Sequence, residues 1–249
     1  MSLLFCAAVA SGAVYNGNKV AMDPSQTDYI YFDGAVGLGK LTLNDNAGAI
    51  SATFNRGGPD PFQYSLVFFI DSVSGGISTT ASLTPSSTYG ERSVSGLSGA
   101  SRSVMNFASG FTADYAIVLN VSLPNASGLY RIDSATSFHK VRDITPNPAT
   151  DVYATAISFN WNWSEISAGG PTVNSFKFQS TYIDTSAYRS LEGFETLSGS
   201  VGFGTVNAAG YNVYNSAVPE PVNIALSIFG GCFGIAGLAQ VARRRAFAR

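Results

Sequence analysis

One histidine, two cysteines and few charges leave this 249-residue chain short of the side chains that most active-site chemistry uses. The histidine, His139, lies in the alternating run Phe138-His139-Lys140-Val141-Arg142, where a lone imidazole reads as a surface or structural group. A His-Glu-x-x-His zinc pair is therefore excluded, and no Gly-x-Ser-x-Gly elbow or glycine-rich phosphate loop occurs. Cys6 and Cys232 both fall in the terminal segments, so the body between them has no disulfide framework and no cysteine-ligated metal. Charged residues make up 12% of the chain, about half the usual share, and solubility falls to Ser, Thr, Asn and Gly. Four of the 14 basic residues, Arg243, Arg244, Arg245 and Arg249, follow Val241. What precedes them is mildly acidic and has no basic patch, which argues against nucleic acid as a partner.

Carboxylates are scattered. Glu165, Glu192 and Glu195 come nearest to a cluster, and a glycosidase pair needs carboxyl groups about 5 Å or about 6.5–9.5 Å apart. The expectation is a non-enzyme, with a polysaccharide-active lyase or glycosidase as the alternative. Asp23, Asp28 and Asp33 precede the first strong strands, and Asn44-Asp45-Asn46 and Asp60 lie in turns. Ca²⁺ takes about six to eight oxygens, and none of these residues has EF-hand or repeat spacing. They read as turn formers, with a structural calcium as the alternative; no other cofactor or metal is expected.

What the chain does have is β pattern. Gln63–Asp71 is apolar on both faces in its middle, as a central strand is. Asp114–Val121, Ala154–Trp163 and Phe176–Tyr182 alternate, and Lys40–Asn44, Ile50–Asn55, Ile77–Leu83, Ser103–Phe107, Leu129–Asp133, Phe138–Arg142 and Val201–Val206 are further strand candidates. Turn clusters such as Arg56-Gly57-Gly58-Pro59-Asp60-Pro61 separate them. No helical period is evident in the body, and no 20–50-residue repeat occurs. This predicts an all-β, jelly-roll-like β-sandwich over residues 14–215, a single domain with Thr145–Thr150 as its most plausible internal seam. Phe159, Trp161 and Trp163 share one face of one strand. Two readings stand: a buried core row, which is favoured, or an exposed platform for stacking sugar rings.

The ends carry an address. Val218-Pro219-Glu220-Pro221 precedes an apolar run from Ile224 to Val241 and then Arg243-Arg244-Arg245. About 18 residues at roughly 1.5 Å each reach about 27 Å, the thickness of a bilayer core. The arginines form a stop that holds that end in the cytoplasm, which places the body across the membrane. At the other end, Leu3–Ala10 is a short apolar run followed by Ala8-Val9-Ala10 and Ser11-Gly12-Ala13 as cleavage triplets. Residues 1–13 thus read as a signal-peptide-like segment without its basic start, with a first buried strand as the alternative.

The Pro219-Glu220-Pro221 trio, the following apolar helix and the closing arginines resemble the PEP-CTERM sorting signal of bacterial surface and exopolysaccharide-associated proteins, although Ile224 stands where a tryptophan is common. The resemblance covers about residues 217–249, within a sorting and anchor segment taken as 216–249. It implies an exosortase-type membrane protease as a partner, transient anchoring in the inner membrane through the helix, and release or re-anchoring at the cell surface. A plain anchor is the competing reading. A second, patchy resemblance lies in the body, in Val67-Phe68-Phe69-Ile70-Asp71, Gly75-Gly76, Phe107–Ala116, Thr181-Tyr182, Ala187-Tyr188-Arg189-Ser190 and Glu192. These segments are similar to DOMON-like and carbohydrate-binding sandwiches, which implies a sandwich fold and association with extracellular polysaccharide.

Overall fold

The computed structural model describes residues 12–18, 34–46, 48–58, 61–200 and 202–216. The sorting motif Val218–Pro221, the apolar run, the Arg243–Arg245 stop and residues 1–11 lie outside the described residues. The chain divides into a compact unit Met1–Asn215 and a second unit Ser216–Arg249. Everything below concerns the first. Among the described residues no helix is long and apolar enough to cross a membrane.

The fold is all-β and sandwich-like, in three sheets. One sheet has the order β1 (Ala13–Asn16), β2 (Lys40–Asn46), β3 (Ala49–Asn55), β9 (Ala156–Asn162). The central sheet has the order β13 (Asn212–Asn215), β10 (Ser175–Ile183), β4 (Ser65–Asp71), β6 (Tyr115–Leu119), β7 (Gly128–Ile132), β8 (Phe138–Asp143). A small third sheet runs β11 (Leu197–Gly199), β12 (Thr205–Ala208), β5 (Val104–Asn106), and β5 pairs in parallel with β12. Consecutive strands lie side by side, β1-β2-β3 in one sheet and β6-β7-β8 in another. That is meander pairing within each sheet, and the chain crosses between the two from β3 to β4, from β8 to β9 and from β9 to β10.

Side-chain alternation assigns the faces. On β4, Leu66, Phe68 and Ile70 join one apolar cluster while Val67 and Phe69 join another. β6 does the same, with Tyr115, Ile117 and Leu119 against Ala116 and Val118. The first cluster lies between the central sheet and the first, because it takes Leu41, Leu43, Ile50, Ala52, Phe54, Ile157, Phe159 and Trp161 from β2, β3 and β9. The second is closed by Met105, Leu197 and Val206 of the small sheet and by Val94 of α1 (Tyr89–Ser95). The first sheet is half-solvated; β9 alternates exposed and buried along its whole length, as a one-faced antiparallel strand should.

Phe159, Trp161 and Trp163 are 3%, 3% and 4% exposed. Register decides this: Ala52 faces Phe159 and Ile50 faces Trp161, so the row shares the inner face with β3. Phe159 stacks on Phe68 at 5.8 Å between centroids, and Trp163 stacks on Tyr214 at 5.9 Å. The row is core, and the sugar-platform reading is corrected accordingly.

Other expectations shift locally. Ile77–Leu83 is no strand: Ile77 and Thr79 make isolated bridges to Ala113 and Asn106, and Thr80–Ser82 turns as a 3-10 helix. The helix α1 was not legible, since two turns are too short to display a period. It ends at Gly96, whose φ of +78° suits glycine. Val201–Val206 is displaced to Thr205–Ala208, and β1, β11 and β13 were not anticipated. Thr145–Thr150 lies inside the first unit, on the link from β8 of the central sheet to β9 of the first, and Asn147 exchanges two backbone hydrogen bonds with Ser158 of β9.

Truncating Trp161 to alanine removes a ring packed on Phe159 and Phe176, and the expected cost is about 3–5 kcal/mol. Urea unfolding of Trp161→Ala measures it. Both tryptophans should also resist quenching by acrylamide in the native protein.

Candidate functional site

The glutamates that came nearest to a cluster in sequence hold three separate pieces of scaffold. Glu165 pairs with Arg142 and accepts the Asn162 backbone N–H at 2.6 Å, closing a capping box at the end of β9. Glu192, fully buried, accepts backbone N–H bonds from Gly34 at 3.1 Å, Val36 at 2.9 Å and Gly37 at 2.8 Å. Glu195 accepts from the Ser180 backbone N–H at 2.6 Å and the Ser180 hydroxyl at 3.0 Å. Glu192 and Glu195 satisfy donors that would otherwise be buried unpaired, and Glu165 is tied to Arg142 and to an exposed backbone N–H.

The other named residues are equally dispersed. His139 Nδ1 sits 2.6 Å from Asp133 Oδ2 at the exposed edge strand β8. Asn44 and Asp45 belong to β2 and Asp45 is buried; Asp23, Asp28, Asp33 and Asp60 lie outside the described residues. Among the described residues no three His, Cys, Asp or Glu side chains come together.

Asp71 and Asp114 do meet, at the end of the central sheet where β4 leaves and β6 enters. Lys177 on β10 donates to Asp71 Oδ2 at 3.0 Å and to the Gly110 carbonyl at 2.7 Å. Its Nζ also lies 5.1 Å from the Tyr211 ring centroid. Asp114 Oδ2 accepts the Ser72 and Val73 backbone N–H groups, both at 3.0 Å. Burial raises the Asp114 pKa against those two bonds, and the hydrogen bond to Asp71 raises that of Lys177. Every charged atom here has a neighbour in the scaffold. The corner pins the chain leaving β4 to the strand it must meet.

An open groove of about 350 Å³ lies between the start of α1 and the turn after β6, lined by Thr88, Tyr89 and Gly90 opposite Leu123, Pro124 and Asn125. The size is in the range of small-ligand sites. Gly90 sets its floor. A Cβ there would stand 2.1 Å from the Tyr130 hydroxyl and 2.5 Å from the Ala126 carbonyl, so only glycine lets α1 come this close. The Tyr89 ring is 49% exposed, and the Arg92 guanidinium covers one face at 3.9 Å from the centroid. The opposite face is left for a ligand. Thr88, the residue before the helix, makes no side-chain capping bond. Asn125 is exposed, and its carbonyl accepts Lys140 Nζ at 3.2 Å. One open ring face beside a hydroxyl and an amide suits a flat polyhydroxylated ligand. Tyr89 carried no signal in the sequence, because it sits in a turn cluster with no strand pattern to single it out.

Glu195 gives the body a pH dependence. Burial raises its pKa from 4.5 to about 8, so between those values the folded protein keeps a proton that the unfolded chain releases. Stability is therefore greatest below about pH 4.5 for this group and declines as pH rises toward 8. Thermal melts from pH 5 to 8 should show that decline, and Glu195→Gln should flatten it. Comparison of the chain with protein-family models, curated proteins and solved structures finds no match.

Proposed function

We propose that this chain is an exported bacterial surface or extracellular-matrix protein, a non-catalytic β-sandwich sorted through its C-terminal segment and processed there by an exosortase-type protease. The observation that carries the reading is the tail: Val218-Pro219-Glu220-Pro221, the apolar run Ile224–Val241 and Arg243-Arg244-Arg245 in that order. In this reading the run is a single transmembrane helix that holds the protein in the inner membrane until processing. The fold supports it. The last strand, β13, ends at Asn215, and the first compact unit closes there, so cleavage at the motif removes no strand. At the other end β1 begins at Ala13. Cutting after Ala8-Val9-Ala10 spares it, whereas cutting after Ser11-Gly12-Ala13 takes its first residue.

The commitment of Glu165, Glu192 and Glu195 to backbone and arginine partners supports a non-catalytic body over a lyase or glycosidase. Polysaccharide association belongs to the Tyr89 groove in this reading, where the ring is half-exposed.

Two measurements follow. Glu220→Ala should leave full-length protein in the membrane, and intact mass of wild-type material should end near the motif; exported wild-type protein still carrying Arg249 would refute processing. Tyr89→Ala should reduce binding to neutral hexose oligosaccharides on an array by about tenfold or more, the loss of one stacked ring, with the melting temperature unchanged. Equal binding by Tyr89→Ala would remove the groove from the account.

A further inference from the structure

The segment between β10 and β11 carries a cation into the second core. Arg189 is fully buried. Its backbone bridges Ile183 of β10 and Gly202, and residues opposite one another in an antiparallel bridge share a face. The side chain thus lies on the Thr181 and Ile183 side of β10, toward α1, where Nη2 donates to the Ser93 carbonyl at 3.2 Å. That is the guanidinium's one hydrogen bond: Nε and Nη1 have no acceptor. Arg189 is in none of the ion pairs formed among the described residues. The acidic residues nearest along the chain are Asp184, Glu192 and Glu195, and they are occupied by the Ser186 and Tyr188 backbone N–H groups, by the 34–37 backbone and by Ser180.

Two further polar groups on this side of the central sheet are unpartnered. The hydroxyls of Ser103 and Thr181, also fully buried, have no partner. Thr181 stands two residues from Ile183 on the same face of β10. Ser103 borders the end of α1: a Cβ on Gly96 would be 2.5 Å from its carbonyl oxygen, and Gly96 is about one turn beyond Ser93. Burial brings the Arg189 pKa down only to about 9, so the guanidinium stays charged at neutral pH. A buried cation with no counter-charge is strongly unfavourable. Water would satisfy donors and leave the charge uncompensated.

We propose that Arg189, assisted by the Ser103 and Thr181 hydroxyls, holds a small monovalent inorganic anion of chloride's size and charge within the second core. The surrounding Val94, Met105, Leu191 and Val206 are buried, which favours a compact ion of low charge over phosphate or sulfate, whose desolvation is far more costly. An anion bound only by the folded protein stabilises it by mass action. The site is independent of the Tyr89 groove and of the tail.

The test is melting of the full chain at constant ionic strength as sodium chloride is replaced by sodium gluconate, whose anion is too large to enter. The wild-type midpoint should fall by about 3 °C or more, and Arg189→Met should show no such fall. Equal wild-type midpoints in the two salts, or an undiminished fall in Arg189→Met, overturn the proposal. A crystal of wild-type protein grown in sodium bromide needs no variant: an anomalous peak within hydrogen-bond distance of Nε or Nη1 is expected, and a second core without one overturns it equally.

Discussion

Phe68 and Phe69 are neighbours on β4, point to opposite sides of one sheet, and are both enclosed. That pair states the constraint on which the rest of the fold depends. A strand apolar on both faces cannot sit in a two-layer sandwich with one side wet, so the chain must supply two covers. The first is the sheet β1-β2-β3-β9, whose inner face carries Phe54, Phe159 and Trp161. The second is improvised from α1, the short strands β5, β11 and β12, and the buried segment 187–197. Burying a large side chain contributes about 1.5–3 kcal/mol, and the second cover obtains this from many small pieces where the first obtains it from long strands.

Few charges are available to organise those pieces, and the carboxylates are used as acceptors for backbone donors. Glu192 gathers three N–H groups of the 34–37 turn, Asp114 two from the turn after β4, and Glu195 one with a serine hydroxyl. Each such hydrogen bond contributes about 0.5–1.5 kcal/mol, or about 1.5–3 kcal/mol where the carboxyl is ionised, and two or three together fix a turn that has no regular ladder. The same logic makes Arg189 the exception. It reaches a single carbonyl and so remains the one fully buried charge in the described body whose donors outnumber its acceptors.

The sequence displayed the first cover far better than the second, for a physical reason. Long strands buried on one face repeat every two residues, and one buried on both reads as a continuous apolar run; β2, β3, β8 and β9 by the first signal and β4 by the second were legible to within two residues of their observed ends. The favoured reading of Phe159, Trp161 and Trp163 as core came from the same alternation. Strands of three or four residues and a two-turn helix are too short to show a period, so α1, β11 and β13 were invisible. Gln179 and Thr181 were misleading: polar residues opposite Phe178 and Tyr182 suggest a wet face, yet both are fully buried under the second cover. Glu192 and Glu195 were noticed as neighbours in sequence, but their separate partners, residues 34–37 and Ser180, are set by tertiary contact alone. The Tyr89 groove depends on a glycine's close approach to Tyr130, which no local pattern encodes.

The edges of the central sheet show where the scarce charge is placed. β8 has one pairing partner, and His139, Lys140, Arg142 and Asp143 lie along its six residues. A charged edge resists pairing with another chain. The opposite edge, β13, reads Asn-Val-Tyr-Asn with no charge at all. It is held from the side instead: the Tyr15 hydroxyl on β1 donates to the Val213 carbonyl at 2.7 Å, and Tyr214 stacks on Trp163. Those contacts tie the last strand to both sheets of the sandwich.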